Sequence, residues 1–364
     1  MNKIEAYCHE VKEKMLRNPH VYGVSLCVKS GKAGLYWKGS GGNIAEGDRY
    51  FLTSVSKLCT SLMVYHLQSK QQLTLSDPVQ RHLPDETVKN LNLFAGGSAD
   101  DGKDITIGHL LSNTSGIPDY LSVKGQNGKT ADSSLNEGID ESWPTEKILE
   151  SAGKQKPKFT PGQKGKAEYS NTNYYLLGMI IEQITGRSIG DAFKQWIFDE
   201  LELQNTYAYQ DVNDTTPVNY YYKSKEIHIP RCLASVTAEG GIVSNAEESM
   251  KILESFFNGR FFPRESLEEH KLWNFMFFPY QFYFGMGLEK LWIPWITYPS
   301  KPRKELLGFW GSSGAFAFHN PELDLYMTGT VNQSNGFGHK AAYKAMIGIM
   351  KEVEKRALND EVTG

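Results

Sequence analysis

A serine and a lysine three positions apart are the strongest candidates for chemistry in this chain. Ser54 and Lys57 stand at the start of a segment, 58–67, in which leucine and methionine recur at helical spacing. Side chains at positions i and i+3 lie on one helix face, so the Lys57 amine can reach the Ser54 hydroxyl. Free backbone N–H groups and the positive end of the helix dipole at this place favour an oxyanion. The pair therefore predicts a serine nucleophile that an ester or amide acylates, with lysine as its partner.

This spacing is a weak signal when it stands alone, because roughly one or two matches arise by chance in a chain of this length. A second match runs from Ser151 to Lys154, but it contains a glycine and precedes a loop-like sequence. We therefore expect no rigid helix to hold that second pair in register. For the first match, the alternative interpretation is a helix cap at Thr53 or Ser54, with Lys57 on a solvated face.

Proton transfer from the serine requires a lysine that is not permanently charged. A lysine of ordinary pKa, about 10.4, is protonated at neutral pH and cannot accept the proton. Burial lowers such a pKa, and a tyrosine hydroxyl close to the amine is a suitable proton relay. Tyr169 and Asn171 stand on alternate positions of an extended segment, so both can face one cleft, with Asn171 as a substrate-binding amide. The alternative is that Tyr169 packs against the following helix and Asn171 caps it.

The elements that must position these residues show two different patterns along the chain. Between about 76 and 234, short helical patterns alternate with polar, glycine-rich loops such as GGSADDGKD. The rest of the chain predicts an α+β fold, an antiparallel β-sheet flanked by N- and C-terminal helices. We expect one domain from 1–75 and 235–364 and a mostly helical insertion at 76–234. The predicted helices are 3–17, 173–185 and 340–357. The predicted strands are 21–28, 34–38, 282–288, 306–319 and 324–331. A glycine-rich connection is predicted at 39–47.

Composition narrows the class of partner. The 364-residue chain has a formal net charge of -3, which lacks the electrostatic footprint that binding to nucleic acid or to an anionic membrane needs. Cys8, Cys27, Cys59 and Cys232 lie far apart and are expected to be free, mostly buried thiols. The amino terminus is charged throughout, with no apolar run long enough for a signal peptide or membrane anchor. These features predict a cytoplasmic protein, or a periplasmic or secreted one if a leader was removed, that acts on a small molecule.

Four segments, taken in order, extend the pattern around Ser54: FLTSVSKLCTSLMVYHL, HLLSNTSGIPDY, FTPGQKGKAEYSNTNYYLLGMIIEQITG and AEGGIVSNAEE. In order and spacing they resemble the class C β-lactamase-like serine hydrolases, which include penicillin-recognising carboxypeptidases, D-aminopeptidases, D-amino acid amidases and carboxylesterases. The resemblance runs from about Val21 to the end of the chain. It implies a β-lactamase/transpeptidase-like fold with Ser54 as the acylated nucleophile and Lys57 as its partner. It also implies that Tyr169 carries the proton and that Asn171 positions the substrate.

The third element of that family is a lysine or histidine, one further residue and a glycine, on the strand opposite the serine. The matching place is Phe309-Trp310-Gly311, with neither lysine nor histidine, and either aromatic residue is expected to form the wall of the cleft. Some related carboxylesterases carry Trp-Gly here. We expect Gly311 to let the substrate pass close to the backbone, and Ser312 to give the second oxyanion N–H. Without the cation, esters and amides of uncharged groups are favoured over β-lactams and carboxylate-bearing peptides.

The sequence thus predicts a serine hydrolase of the esterase or D-amino acid amidase/peptidase type that acts through an acyl-enzyme, with no metal or cofactor. Two alternatives stay open: a β-lactamase or D,D-carboxypeptidase, and a catalytically weak module that binds peptidoglycan fragments or a protein. The aromatic run 273–298 is predicted to be core packing, with an apolar pocket beside the cleft as the alternative. His109 and His319 are expected to be structural. The physiological substrate and the oligomeric state are not predicted.

Overall fold

An eight-stranded antiparallel sheet forms the centre of the protein. The structure, a computed structural model, describes residues 3–87, 89, 105–124, 128–269, 272–277, 282–299, 304–334 and 336–363. The strands of the sheet are β1 (Gly23–Ser30), β2 (Leu35–Gly42), β8 (Asn274–Phe277), β9 (Phe282–Phe284), β10 (Glu289–Trp292), β11 (Glu305–Trp310), β12 (Ala315–Asn320) and β13 (Leu325–Thr330). Their order is β2-β1-β13-β12-β11-β10-β9-β8, so the amino-terminal hairpin pairs with the last strand of the chain. The predicted fold class is confirmed.

Helices cover both faces of this sheet, which is why β12 and β13 are buried along their whole length. The helices are α1 (Lys3–Leu16), α2 (Lys57–Ser69), α3 (Ile107–Leu111), α4 (Ala131–Asn136), α5 (Thr145–Gly153), α6 (Asn171–Thr185), α7 (Ile189–Phe193), α8 (Pro230–Ser235), α9 (Ala246–Phe257), α10 (Glu265–Glu269) and α11 (Gly336–Thr363). The first and last of these pack on each other, and α9 packs on β1, β12 and β13. None of the helices in the described ranges has both the length and the apolarity that a bilayer crossing requires.

The region 76–234 contains α3 to α8, but it also contributes short strands. These are β4 (Tyr207–Ala208), β5 (Tyr220–Tyr222) and β6 (Lys225–Ile227), and β3 (Tyr50–Phe51) and β7 (Ile242–Ser244) lie outside the region. A small sheet of order β3-β7-β4 joins the region to the rest of the protein. The domain boundaries expected at 75/76 and 234/235 therefore stay a prediction.

Three predicted boundaries were wrong, each for a local reason. The strand predicted at 306–319 is two strands, β11 and β12, because the chain turns at 311–314, where Gly314 has a φ of +90°. The strand predicted at 282–288 ends at Phe284 and resumes as β10 after Gly287, which has a φ of +78°. The predicted connection 39–47 begins too early, because β2 continues to Gly42. A Cβ on Gly41 would lie 2.8 Å from the Leu16 side chain, so the glycines let α1 lie close to this strand.

The segment that carries Ser54 is a 3₁₀ turn, Thr53–Ser56, that runs directly into α2. Thr53 has a φ of +46°, a left-handed conformation that is costly for a β-branched residue. Contacts with the β11–β12 turn hold it there. The Ser313 N–H donates to Thr53 Oγ1 (3.2 Å), and the Ser313 hydroxyl donates to the Phe51 carbonyl (2.7 Å). The conformation of this turn therefore depends on the sheet.

Gly311 makes the close approach between this turn and β11 possible. A Cβ at position 311 would lie 2.3 Å from the Leu52 carbonyl oxygen and 2.5 Å from Thr53 Oγ1. Both are backbone or short, fixed groups, so a larger residue would force the strand and the turn apart. The contact between the turn and β11 therefore requires glycine at position 311. The close approach of a substrate, expected from the sequence, would be a second reason.

We expect Gly311→Ala to lower the free energy of unfolding by about 1–3 kcal/mol because of this overlap. Urea denaturation measures the change. Gly336→Ala is the matched control, since a Cβ on Gly336 meets no atom within 4 Å. Equal stability of Gly311→Ala and the control would show that the turn and the strand are not in close contact.

Candidate active site

The Ser54 hydroxyl lies between a lysine and a tyrosine that come from different parts of the chain. Lys57 Nζ is 3.2 Å from Ser54 Oγ, and the Tyr169 hydroxyl donates to Ser54 Oγ at 2.8 Å. Lys57 is the first residue of α2, one turn beyond Ser54, and Tyr169 lies two residues before α6. The α2 and α6 helices pack on each other, and this contact brings the three groups together.

The Lys57 amine is completely enclosed, with 0% of the residue exposed. Besides Ser54, its N–H groups reach Asn171 Oδ1 (2.8 Å) and the Glu239 carbonyl oxygen (2.8 Å). Burial lowers the pKa of Lys57 to about 8, although the carboxyls of Glu239, Glu289 and Asp119 act in the opposite direction. A substantial fraction of the amine is therefore neutral near physiological pH, as proton acceptance requires.

Asp119 fixes the orientation of the Asn171 side chain. Asn171 Nδ2 donates to both carboxylate oxygens of Asp119 (3.1 and 3.3 Å), so Asn171 Oδ1 must face Lys57. Burial raises the pKa of Asp119 to about 6, against the hydrogen bonds from Leu121 and Asn171 and the charge of Lys57. Both ends of the Asn171 amide thus contact protein groups, with Asp119 at Nδ2 and Lys57 at Oδ1. Its expected role in substrate binding stays a prediction.

Tyr169 is a phenol rather than a phenolate in this arrangement. Burial, together with the nearby Glu289 carboxyl, raises the pKa of Tyr169 well above its ordinary value. The ring makes an edge contact with Phe284, and Lys57 Nζ lies 5.1 Å from its centroid. A protonated tyrosine in contact with Ser54 Oγ can give its proton to a group that leaves from the same place.

Two cavities open at Ser54, and both also reach Tyr169, Ser312 and His339. The first, the Asp119 cavity, has a volume of about 560 Å³ and is lined by Asp119 and Glu239, among others. The second, named the Glu289 cavity, has a volume of about 370 Å³ and lies against Trp310 and Gly311. Each cavity has room for a small chemical group.

The two aromatic residues expected opposite the serine have different surroundings. Trp310 lines the Glu289 cavity, whereas Phe309 is fully buried against Tyr174 and Phe284. The two point to opposite faces because they are neighbours on β11. Ser312, at the following turn, is exposed and lines both cavities, and its expected role as an oxyanion donor stays a prediction.

Sequence reasoning missed several titratable groups of the cleft. Asp119 and Glu239 lie inside two of the four segments that carry the family resemblance, but no spacing rule marks them as residues of the cleft. Tyr120 donates to Glu239 Oε1 (3.2 Å), and burial raises the pKa of Glu239 to about 7. Glu289 lies within the aromatic run, and burial raises its pKa to about 8. Nothing in the sequence marked it or His339, whose Nε2 lies 3.0 Å from the Gly311 carbonyl oxygen.

Other residues singled out from the sequence do not reach the cleft. Ser151 lies in the last turn of α5, and Lys154 follows the helix end, so the helix does not include both members of the pair; the Lys154 amine pairs with Glu150. His109 is structural as expected, because its ring accepts the Thr106 N–H in the cap of α3. The four cysteines are free and buried, as predicted.

The aromatic run divides between the core and the cleft. Phe284 is in the core, Phe282 lines the Glu289 cavity, and Phe275 and Trp295 are exposed. Residues 278 and 280 lie outside the described residues. Within the described part of the chain, no group of three or more His, Cys, Asp or Glu side chains is placed to hold a metal ion.

Comparison with known proteins identifies a family and several proteins of similar sequence or fold. Residues 12–348 match the family model described as Beta-lactamase. Penicillin-binding protein 4* of Bacillus subtilis (strain 168) is 31% identical over 170 residues, which are 47% of this chain and 33% of that protein. The matched part thus spans about a third of that relative's length.

Two solved structures show the same fold at low sequence identity. D-amino acid amidase from Ochrobactrum anthropi SV3 aligns with a TM-score of 0.73 and 22% identity, over 96% of this chain and 99% of that one. EstCE1, described as a hydrolase with promiscuous acyltransferase activity, aligns with a TM-score of 0.71 and 19% identity, over 96% and 99%.

Glu289→Gln should change the pH dependence of stability. The pKa of this carboxyl is raised from 4.5 to about 8, so the folded protein binds the proton more tightly than the unfolded chain does. The wild type therefore loses stability as pH rises through this window, whereas glutamine does not titrate and keeps an acceptor for the Trp310 N–H. We expect the unfolding free energy of Glu289→Gln, relative to the wild type, to increase from about pH 5 to about pH 8 and then to level off.

Urea denaturation across this pH range measures the difference. Glu150→Gln, which removes the same charge from an exposed site on α5, is the control and should show a far smaller trend. A difference between Glu289→Gln and the wild type that stays constant with pH would contradict the buried, protonated state of Glu289.

Proposed function

Because this chain belongs to the beta-lactamase family, we propose that it is a serine hydrolase that cleaves small esters or amides through an acyl-enzyme on Ser54. The observation that carries the proposal is the position of the Ser54 hydroxyl between Lys57 Nζ (3.2 Å) and the Tyr169 hydroxyl (2.8 Å). A nucleophile in contact with one group that can accept a proton and one that can donate a proton has what acyl transfer needs. A binding module has no use for a buried lysine of lowered pKa.

Acylation follows from these contacts. Neutral Lys57 accepts the Ser54 proton, and Ser54 Oγ forms a bond to the substrate carbonyl carbon while the carbonyl oxygen becomes an oxyanion. The backbone N–H groups of Ser54 and Ser312 are the proposed donors to this oxyanion. Tyr169 gives its proton to the leaving alcohol or amine as the bond to the carbonyl carbon breaks, and the Lys57 ammonium returns a proton to the tyrosinate. The products of this step are the released alcohol or amine and an ester on Ser54.

Deacylation reverses the proton path with water in place of the leaving group. A water molecule attacks the Ser54 ester and gives its proton to the lysine and tyrosine pair. The bond between the acyl carbon and Ser54 Oγ then breaks, Ser54 regains a proton, and the acid is released. Asn171 and Asp119 do not exchange protons in this scheme, since their contacts hold the Lys57 amine in place.

The substrate class is proposed from the walls of the cleft. Among the described residues that line the two cavities there is no lysine or arginine, so no permanent cation faces a substrate carboxylate. This favours esters or amides of the esterase or D-amino acid amidase type over β-lactams and D,D-carboxypeptidase substrates. The fold shared with a D-amino acid amidase and with an acyl-transferring hydrolase is compatible with that choice.

The expected cytoplasmic location also stays a prediction. Four cysteines are buried free thiols, which suits a reducing compartment. Fractionation of the native host, with immunodetection of the protein, tests it.

Ser54→Ala should abolish both acylation and turnover, because alanine offers no oxygen to the substrate. The wild type should react with a fluorophosphonate at one site and hydrolyse para-nitrophenyl acetate. Intact-protein mass spectrometry followed by peptide mapping locates the adduct. A wild type that neither reacts nor turns over any ester, amide or β-lactam would overturn the proposal and favour a binding module, whereas clear preference for a chromogenic cephalosporin would make the protein a β-lactamase.

The pH dependence of ester hydrolysis should report the Lys57 proton. We expect kcat/KM to rise with pH through about 8, the pKa of Lys57, since the base must be neutral. The Asp119 carboxylate favours the Lys57 ammonium, so Asp119→Asn should lower that pKa and move the rise toward lower pH, by about one unit or less. A rise that stays in place, with only its height reduced, would show that Lys57 is not the titrating group.

A further inference from the structure

The Glu289 cavity contains one acid among apolar walls. Phe282, Leu291, Trp310 and Tyr343 supply the apolar surface, and the cavity opens on Ser54. Glu289 itself is only 2% exposed. A buried carboxyl that faces a cavity beside a nucleophile is unusual, because the desolvation of a carboxylate is costly unless a partner compensates for it.

Glu289 has a hydrogen-bond donor but lacks a counter-ion. One carboxyl oxygen accepts the Trp310 N–H at 2.8 Å. No lysine or arginine of the described residues lies within ion-pair distance of Glu289, and the Lys57 amine directs its N–H groups to Ser54, Asn171 and Glu239. The other titratable groups on this wall, apart from Tyr169, are His339 and Tyr343. Burial lowers the pKa of His339, which favours the neutral imidazole, and Tyr343 is a phenol that carries no positive charge in either protonation state.

We propose that Glu289 is a specificity-determining residue, and that the Glu289 cavity takes an apolar substrate group that ends in an ammonium or a similar cationic donor. The proposal rests on the hydrolase function proposed above. The ammonium would supply the counter-charge that the protein omits, so that Glu289 ionises in the complex and accepts a charge-assisted hydrogen bond at its free oxygen. A substrate carboxylate at the same place would find no cation to pair with.

The position of this acid strengthens the argument. The resemblance described above implies a cation at the end of β11, opposite the serine, that faces a substrate carboxylate. In this chain that strand end offers Trp310, whose backbone N–H binds Glu289. The wall therefore carries an acid where the resemblance implies a cation, and the preferred substrate charge should be inverted accordingly.

Two matched substrate series test the proposal, because either side of the scissile bond could occupy the cavity. One series varies the acyl group as para-nitrophenyl esters of caproate, ε-aminocaproate and adipate. The other varies the alcohol as butyrate esters of hexanol, aminohexanol and hydroxyhexanoate, followed by acid release. In one of the two series we expect the wild type to prefer the ammonium member over the neutral member by about tenfold or more in kcat/KM.

Glu289→Gln separates charge from structure, because glutamine keeps an oxygen for the Trp310 N–H. Its ratio of kcat/KM for the ammonium and neutral substrates should fall to about one, whereas Glu150→Gln should keep the wild-type ratio. A wild-type ratio near one in both series, or a preference that Glu289→Gln retains, would overturn the specificity proposal while leaving the hydrolase intact. Failure of the hydrolase proposal would look different, as no ester turnover and no fluorophosphonate adduct on Ser54.

Discussion

The burial of one amine is the constraint on which the site depends. Lys57 has no exposed surface, so water cannot stabilise its charge, and its pKa falls to about 8. A fully isolated amine would be pushed further, and it would then be a weak base and a weak partner for a serine. The acids Glu239, Glu289 and Asp119 limit the fall. The site thus balances desolvation against nearby negative charge, which is a general way to bring a lysine pKa close to physiological pH.

The fold supplies this balance by bringing three separate surfaces to the amine. The first turn of α2 carries the nucleophile and the lysine, the residues before α6 carry the tyrosine and the asparagine, and the end of β11 forms the opposite wall. Each surface is fixed by contacts outside the chemistry. Thr53 is held in a strained conformation by Ser313, and the Asn171 amide is oriented by Asp119. Such supporting contacts keep reacting groups within hydrogen-bond distance of one another.

The sequence predicted the parts of this arrangement that depend on local spacing. The reach from Lys57 to Ser54 follows from one helical turn, and the strand-and-helix pattern was sufficient for the α+β fold. It could not predict contacts that depend on tertiary packing. Gly311 was expected to make room for the substrate, but the atoms that exclude a side chain there include the Leu52 carbonyl, from a segment far away in sequence. Glu289 looked like one polar residue in an aromatic run, and only the pairing of β10 with β11 places it beside Trp310.

The same electrostatics would couple substrate choice to catalysis. When Glu289 is ionised, its carboxylate raises the pKa of Lys57 and so favours the ammonium form, which cannot accept the serine proton. A cationic substrate group next to Glu289 would stabilise this carboxylate and at the same time offset its field at Lys57, so the lysine pKa in the complex would stay close to that in the free protein. A neutral substrate would leave the balance unchanged, and an anionic one would shift it toward the inactive ammonium. An acid on the wall opposite the serine would therefore select a substrate by charge while the paired charges leave the base in its reactive form when that substrate binds.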